Sequence, residues 1–100
     1  MDETSSSLLY SRHPEVLAAP LGPDETALLG AARENYYGLN GPGTRIWELL
    51  EAPRTFDEIC TILMDEFDVD VQECRRDTRE HLVELVANSL VTETKIAQGP

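Results

Sequence analysis

The chain has 100 residues, 41% of them hydrophobic, and 19 acidic side chains against 8 basic ones give a formal net charge of −11. That length holds one domain with one modest core, and the charge opposes DNA, RNA or an anionic membrane surface as a partner, because phosphate binding rests on Lys and Arg. No apolar run approaches the roughly 20 residues of a membrane-spanning helix, and the acidic, Ser-rich start lacks the basic and apolar regions of a secretory signal, so the expected compartment is the cytoplasm.

Residues 1–12 read as a flexible N-terminus, with no clear pattern from Leu8 to Pro14. Glu15 to Leu21 reads as a first short strand, bordered by Pro14 and Pro20 where proline is tolerated. Gly22-Pro23-Asp24-Glu25 is a turn. Thr26 to Gly30 is a second strand, Ala31 to Glu34 turns the chain, and Asn35 to Leu39 is the third and strongest strand because of its paired tyrosines. Strands two and three are close enough in sequence to pair as a hairpin. Asn40 then reads as a helix N-cap with Pro42 in the first turn, where a missing N–H costs little. The first helix carries Ile46, Trp47, Leu49 and Leu50 and stops before Pro53. Thr55 and Glu58 form a capping box for the second helix, whose apolar stripe is Phe56, Ile59, Cys60, Leu63 and Phe67. Asp70 and Glu73 repeat the cap before a third helix from about Val71 to Ser89. Leu90 to Thr92 is extended, and residues 93–100 read as a flexible tail. The expected fold is α+β and winged-helix-like: a three-stranded antiparallel sheet with a free edge, followed by three helices packed on it.

No catalytic or metal-binding constellation is visible, and no cofactor is expected. Cys60 and Cys74 fall on apolar stripes and read as core thiols. Cys74 and His81 lie two helical turns apart, roughly 10 Å of rise, too far for one zinc with bonds near 2 Å. The glycines between Tyr37 and Gly43 lack the Lys-Ser/Thr of a phosphate-binding loop and read as a strand-to-helix turn. Trp47 sits beside Ile46 and reads as a core anchor rather than a stacking surface. Tyr36 and Tyr37 point to opposite faces of their strand, so one packs inward and the other is exposed or borders a groove.

The third helix has more apolar surface than a core needs. Val71, Cys74, Thr78, Leu82, Leu85 and Ser89 gather on one side at 100° per residue. Beside them runs a second line of Arg75, Arg79, Val83, Val86 and Leu90, with Arg76 at its margin. Its arginines are three of the chain's eight basic residues. One reading pairs them with neighbouring acids on the helix surface. The other makes the line one wall of a groove whose floor is the third strand. An open strand edge there would accept a peptide as a new strand, with main-chain hydrogen bonds for affinity and side-chain pockets for specificity.

The aromatic strand Tyr36-Tyr37-Gly38-Leu39-Asn40, the Ile46-to-Leu50 helix, the Thr55-capped helix and the acidic Glu66-to-Asp70 segment together resemble the PqqD-like family, over residues 13–92. His13-Pro14-Glu15-Val16 also fits. The resemblance implies a winged helix-turn-helix-like domain that is not an enzyme. Its ligand would be the leader segment of a ribosomally made precursor peptide, laid against the third strand and third helix. The implied contacts are Asn35, Tyr36, Tyr37 and Leu39 on the strand, and Arg75, Arg76, Arg79, Val83 and Val86 on the helix. The implied enzyme partner is a modifying enzyme such as a radical SAM enzyme, a leader peptidase or a cyclase. The open edge also allows a homodimer. Two other functions compete: a winged-helix DNA-binding regulator, kept open by the arginines against the net charge, and a small stabilising subunit of a biosynthetic enzyme.

Overall fold

Local capping decides where the helices begin. In the computed structural model, which describes residues 8–30 and 36–95, Thr55 Oγ1 accepts from the Glu58 N–H at 3.1 Å and Glu58 Oε1 accepts from the Thr55 N–H at 2.9 Å. This is the expected capping box, and it opens helix α2. Asp70 accepts from the Glu73 N–H at 3.1 Å and starts α3. In chain order the elements are β1 (Leu8–Arg12), β2 (Leu17–Gly22), β3 (Glu25–Leu29), β4 (Tyr36–Asn40), α1 (Pro42–Leu49), β5 (Arg54–Thr55), α2 (Phe56–Glu66), α3 (Val71–Ala87) and β6 (Val91–Lys95). The expected α+β class holds, with three helices among the described residues. The flexible stretches expected at residues 1–7 and 96–100, the turn at residues 31–34 and the site residue Asn35 lie outside the described residues.

The strands form two antiparallel sheets rather than the single one expected, in the orders β5-β1-β6 and β2-β3-β4. Leu8–Arg12 and Glu93–Lys95, assigned from sequence to flexible ends, pair with each other, Tyr10 opposite Glu93 and Arg12 opposite Val91. The Tyr10 hydroxyl donates to Glu93 Oε2 at 2.9 Å. Burial of Tyr10, with that bond and the Glu93 charge, pushes its pKa up to about 12. This pairing spans more than eighty residues of sequence, so no local pattern announces it. Arg12 ties the sheet to α1: its guanidinium donates to the Trp47 carbonyl at 2.7 and 3.1 Å and lies 4.6 Å over the Trp47 ring.

The start of α1 differs from expectation. Its N-cap is Gly41, not Asn40, at φ 53, a backbone state that favours glycine. Asn40 instead ends β4, and Pro42 occupies the first turn as expected. Trp47 is buried, together with Ile46, Leu49 and Leu50. On α2 the buried face is Phe56, Ile59, Cys60 and Leu63, while Phe67 caps the helix end and is partly exposed. On α3 the core stripe shortens to Cys74, Thr78, Leu82 and Leu85. Val71 is exposed, and the helix ends at Ala87 because Ser89 takes φ 61. The Ser89 N–H donates to Val86 O and the Leu90 N–H to Leu85 O, the double bond of a Schellman turn. That turn folds Leu90 back into the core and starts β6. Both cysteines are free and buried. Burial raises the Cys60 thiol to about 11, with Cys74 adding to it, so it is a neutral core group.

Candidate functional site

β4 is the feature that invites a ligand. It pairs with β3 on one side and stands at the end of its sheet on the other, with no strand on that edge among the described residues. The register tells which groups are free. The Gly41 N–H donates to Asp24 O at 2.9 Å, one pair beyond Glu25 opposite Asn40. Antiparallel ladders alternate hydrogen-bonded and non-bonded pairs. Thr26 with Leu39 and Leu28 with Tyr37 are therefore the bonded pairs. Tyr36, Gly38 and Asn40 turn their N–H and C=O groups to the open edge.

α3 lies near β4. Tyr37, Gly38 and Leu39 of β4 and His81, Glu84, Leu85 and Asn88 of α3, with Leu90 at the end, line a cavity of about 80 Å³. The Tyr37 hydroxyl donates to Asn88 Oδ1 across it. A second, more apolar cavity of about 240 Å³ opens beyond the end of β4, between Pro42, Gly43 and Ile46 of α1, Leu63 and Phe67 at the end of α2, and α3. His81 lines both cavities. A Cβ at Gly43 would stand 3.1 Å from His81 Cε1, so glycine is what lets the ring sit against α1. The two cavities, called the groove below, share His81: the smaller lies between β4 and α3, the larger between α1, the end of α2 and α3.

The sequence-predicted residues divide. Tyr36 is exposed, Tyr37 is half-buried and borders the groove, and Leu39 is buried at its base. Arg75, Arg76, Arg79, Val83 and Val86 do not line the groove. Arg75 pairs with Asp57 of α2 at 3.1 Å, and the guanidinium groups of Arg75 and Arg79 lie 4.8 and 4.4 Å over the Phe56 ring. Arg76 contacts Asp77, Val86 packs against the core, and Val83 is exposed. The reason is the setting of α3. Its core stripe has a shoulder on each side, and the arginine shoulder turns to α2 while the shoulder of Asp77, His81, Glu84 and Asn88 turns to α1 and β4. Sequence reasoning missed this second line. Its signal was a polar row at spacings of four, three and four residues beside the core stripe.

His81 carries the electrostatic signature of the groove. Its Nε2 is buried without a hydrogen-bond partner, and burial lowers its pKa against an opposing pull from Glu84. The unfolded chain takes up a proton near the ordinary value of about 6.5 while the folded chain resists it. Stability from this group is therefore present above pH 6.5 and lost as pH falls through the folded value. Thermal melts between pH 7.5 and 5.5 should show a falling Tm in wild type and a flatter profile in His81→Gln. Equal slopes would show that His81 does not set the dependence. Among the described residues, no group of three His, Cys, Asp or Glu side chains could hold a metal ion, and no helix is long and apolar enough to cross a membrane.

Fold and site define a small α+β domain that holds an open strand edge beside a helix-walled groove. The family model for coenzyme PQQ synthesis protein D (PqqD) matches residues 25–91, and the chain belongs to that family. The solved structure of TbiB1 in complex with the TbiA(beta) leader peptide is similar over 81% of this chain and 93% of its own, with 33% identity and a TM-score of 0.74. A lasso peptide synthetase B1 complexed with the leader peptide is similar in fold, with a TM-score of 0.69 and 21% identity over 83% of this chain and 96% of that one. No curated protein matches the chain.

Proposed function

We propose that this protein binds the leader segment of a ribosomally made precursor peptide as an added strand along β4 and presents it to modifying enzymes. The observation that carries the reading is the row of backbone groups at Tyr36, Gly38 and Asn40 that faces an edge with no strand among the described residues. The similarity to TbiB1, solved with a leader peptide, supports it. An added strand satisfies the open edge, and its alternate side chains drop into the groove lined by Tyr37, Leu39, His81, Glu84, Leu85 and Asn88. Asn35, the residue before Tyr36 in sequence, is a further candidate contact. Arg75, Arg76, Arg79, Val83 and Val86 would meet a leader only where it passes over α3 toward α2. In this reading the domain is winged helix-turn-helix-like, works in the cytoplasm without catalysing a reaction, and leaves the chemistry to a radical SAM enzyme, a leader peptidase or a cyclase. A homodimer formed through the β4 edge would exclude the leader.

The test is amide exchange, read by NMR, with and without a saturating leader peptide from the precursor encoded beside this chain. The amides of Tyr36, Gly38 and Asn40 should gain protection, while those of Tyr37 and Leu39, already bonded to β3, should change little. Saturable binding that leaves all of β4 unchanged would remove the strand-addition reading, and no saturable binding would remove leader recognition itself.

A further inference from the structure

The groove carries charge of one sign. Asp77 lines the larger cavity and Glu84 the smaller, and no Lys or Arg lines either. His81 lines both and adds no positive charge at neutral pH, because burial lowers its pKa. Asp77 and Glu84 are exposed residues. Asp77 meets only Arg76, its neighbour in sequence, at 3.4 Å, and Glu84 joins no ion pair among the described residues. The connection between α2 and α3 adds to the same sign. Phe67 and Val69 line the larger cavity, and Glu66, Asp68 and Asp70 alternate with them along the chain. Glu66 is held by Arg45 at 2.6 Å and Asp70 caps α3, while Asp68 joins no ion pair among the described residues.

An acidic side chain entering this groove would meet like charges alone, which disfavours it. The arginine shoulder that would favour an acidic ligand is turned to α2 instead. A Lys or Arg side chain fits the lining better: its methylene stem lies along apolar groups such as Ile46, Leu63 and Phe67, and its cationic head reaches a carboxylate. The net charge of −11 acts in the same direction at longer range, drawing a basic peptide in and losing that pull as salt rises. Resting on the leader-binding reading, we propose that the groove selects leaders that are basic where they meet α3, with Lys or Arg beside an apolar anchor, and that Asp77 and Glu84 are the residues that set this preference.

The experiment compares wild type with an Asp77→Asn/Glu84→Gln double variant and with a Glu51→Gln/Glu73→Gln control. The control changes the net charge by the same amount at exposed positions that line neither cavity. The probes are a fluorescent leader peptide from the adjacent precursor gene and the same peptide with every Lys and Arg replaced by Gln, titrated at low and high salt. With the native peptide, the groove variant should lose about fivefold or more in affinity and the control should stay within about twofold of wild type. Wild-type affinity should fall as salt rises, and the thermal melts should be unchanged. The neutralised peptide should bind wild type weakly and no longer distinguish it from the groove variant, the non-additivity that a direct charge pairing produces. Groove-variant affinity equal to or above wild type, an equal loss in the control, or additive losses from the protein and peptide changes would each overturn the proposal and leave leader recognition standing. Should the groove variant be destabilised, the peptide substitution decides alone: unchanged affinity of wild type for the neutralised peptide overturns the proposal. Failure of wild type to bind the native peptide would remove the underlying reading, a separate pattern from these.

Discussion

A Gly38→Pro variant is expected to keep its fold and lose leader affinity at least tenfold. Gly38 is opposite Ala27 in a pair that does not exchange hydrogen bonds, so its N–H points to the open edge. Proline removes that donor and puts its ring where an added strand must approach. β3 loses no hydrogen bond, and edge strands tolerate proline. The expected stability cost is about 1 kcal/mol. On the ligand side, one lost hydrogen bond accounts for about 0.5 to 1.5 kcal/mol, and obstruction of the neighbouring contacts adds to it. Tenfold corresponds to about 1.4 kcal/mol, so the loss lies well above measurement error. Gly38→Ala is the control. A Cβ at this position meets no atom within 4 Å, and the N–H is retained. Anisotropy titration of a labelled leader should place Gly38→Ala near wild type. A Gly38→Pro variant that is folded and binds as wild type does would move the ligand away from β4.

The largest effect on stability is expected at Phe56, the first residue of α2. Its ring is 1% exposed, and the Arg75 and Arg79 guanidinium groups cover it at 4.8 and 4.4 Å. Truncation to alanine removes a fully buried aromatic and leaves a cavity, at a cost of about 3 to 5 kcal/mol. It also removes the aromatic surface on which both cations rest, a contact of about 0.5 to 2 kcal/mol each. A domain of this size has only about 5 to 15 kcal/mol in total. Phe56→Ala should therefore lower Tm by about 15 to 30 °C, and Phe56→Leu by much less. Calorimetry on both variants checks this. A shift of only a few degrees in Phe56→Ala would show that Phe56 does not anchor the packing of α2 against α3.

Every local signal concerned a stretch short enough to satisfy itself. Thr55 and Glu58 cap each other across three residues, and Pro42 starts α1 because its missing N–H is not needed there. The periodicity of α2 and α3 placed Phe56, Ile59, Cys60, Leu63, Cys74, Thr78, Leu82 and Leu85 in the core, since burial of apolar area must follow the helix repeat. The tyrosine pair marked β4, and the ordered combination of these elements carried the resemblance to the PqqD-like family. Leu8–Arg12 escaped notice because its partner, Val91–Lys95, lies at the other end of the chain. Asn40 was mistaken for the cap because the positive φ at Gly41 follows from the tie of its N–H to Asp24, a contact between two turns.

The composition, the helices, the capping box, the strongest strand and the family were decided by the sequence itself, because each rests on interactions within about one or two helical turns or on a fixed residue order. The tertiary structure decided which shoulder of α3 faces β4. A core stripe has two equivalent flanks, and only packing against a neighbour breaks that symmetry. The contact of Arg75 and Arg79 with Phe56 turns the arginine flank to α2. That single rotation leaves His81, Glu84 and Asn88 beside β4.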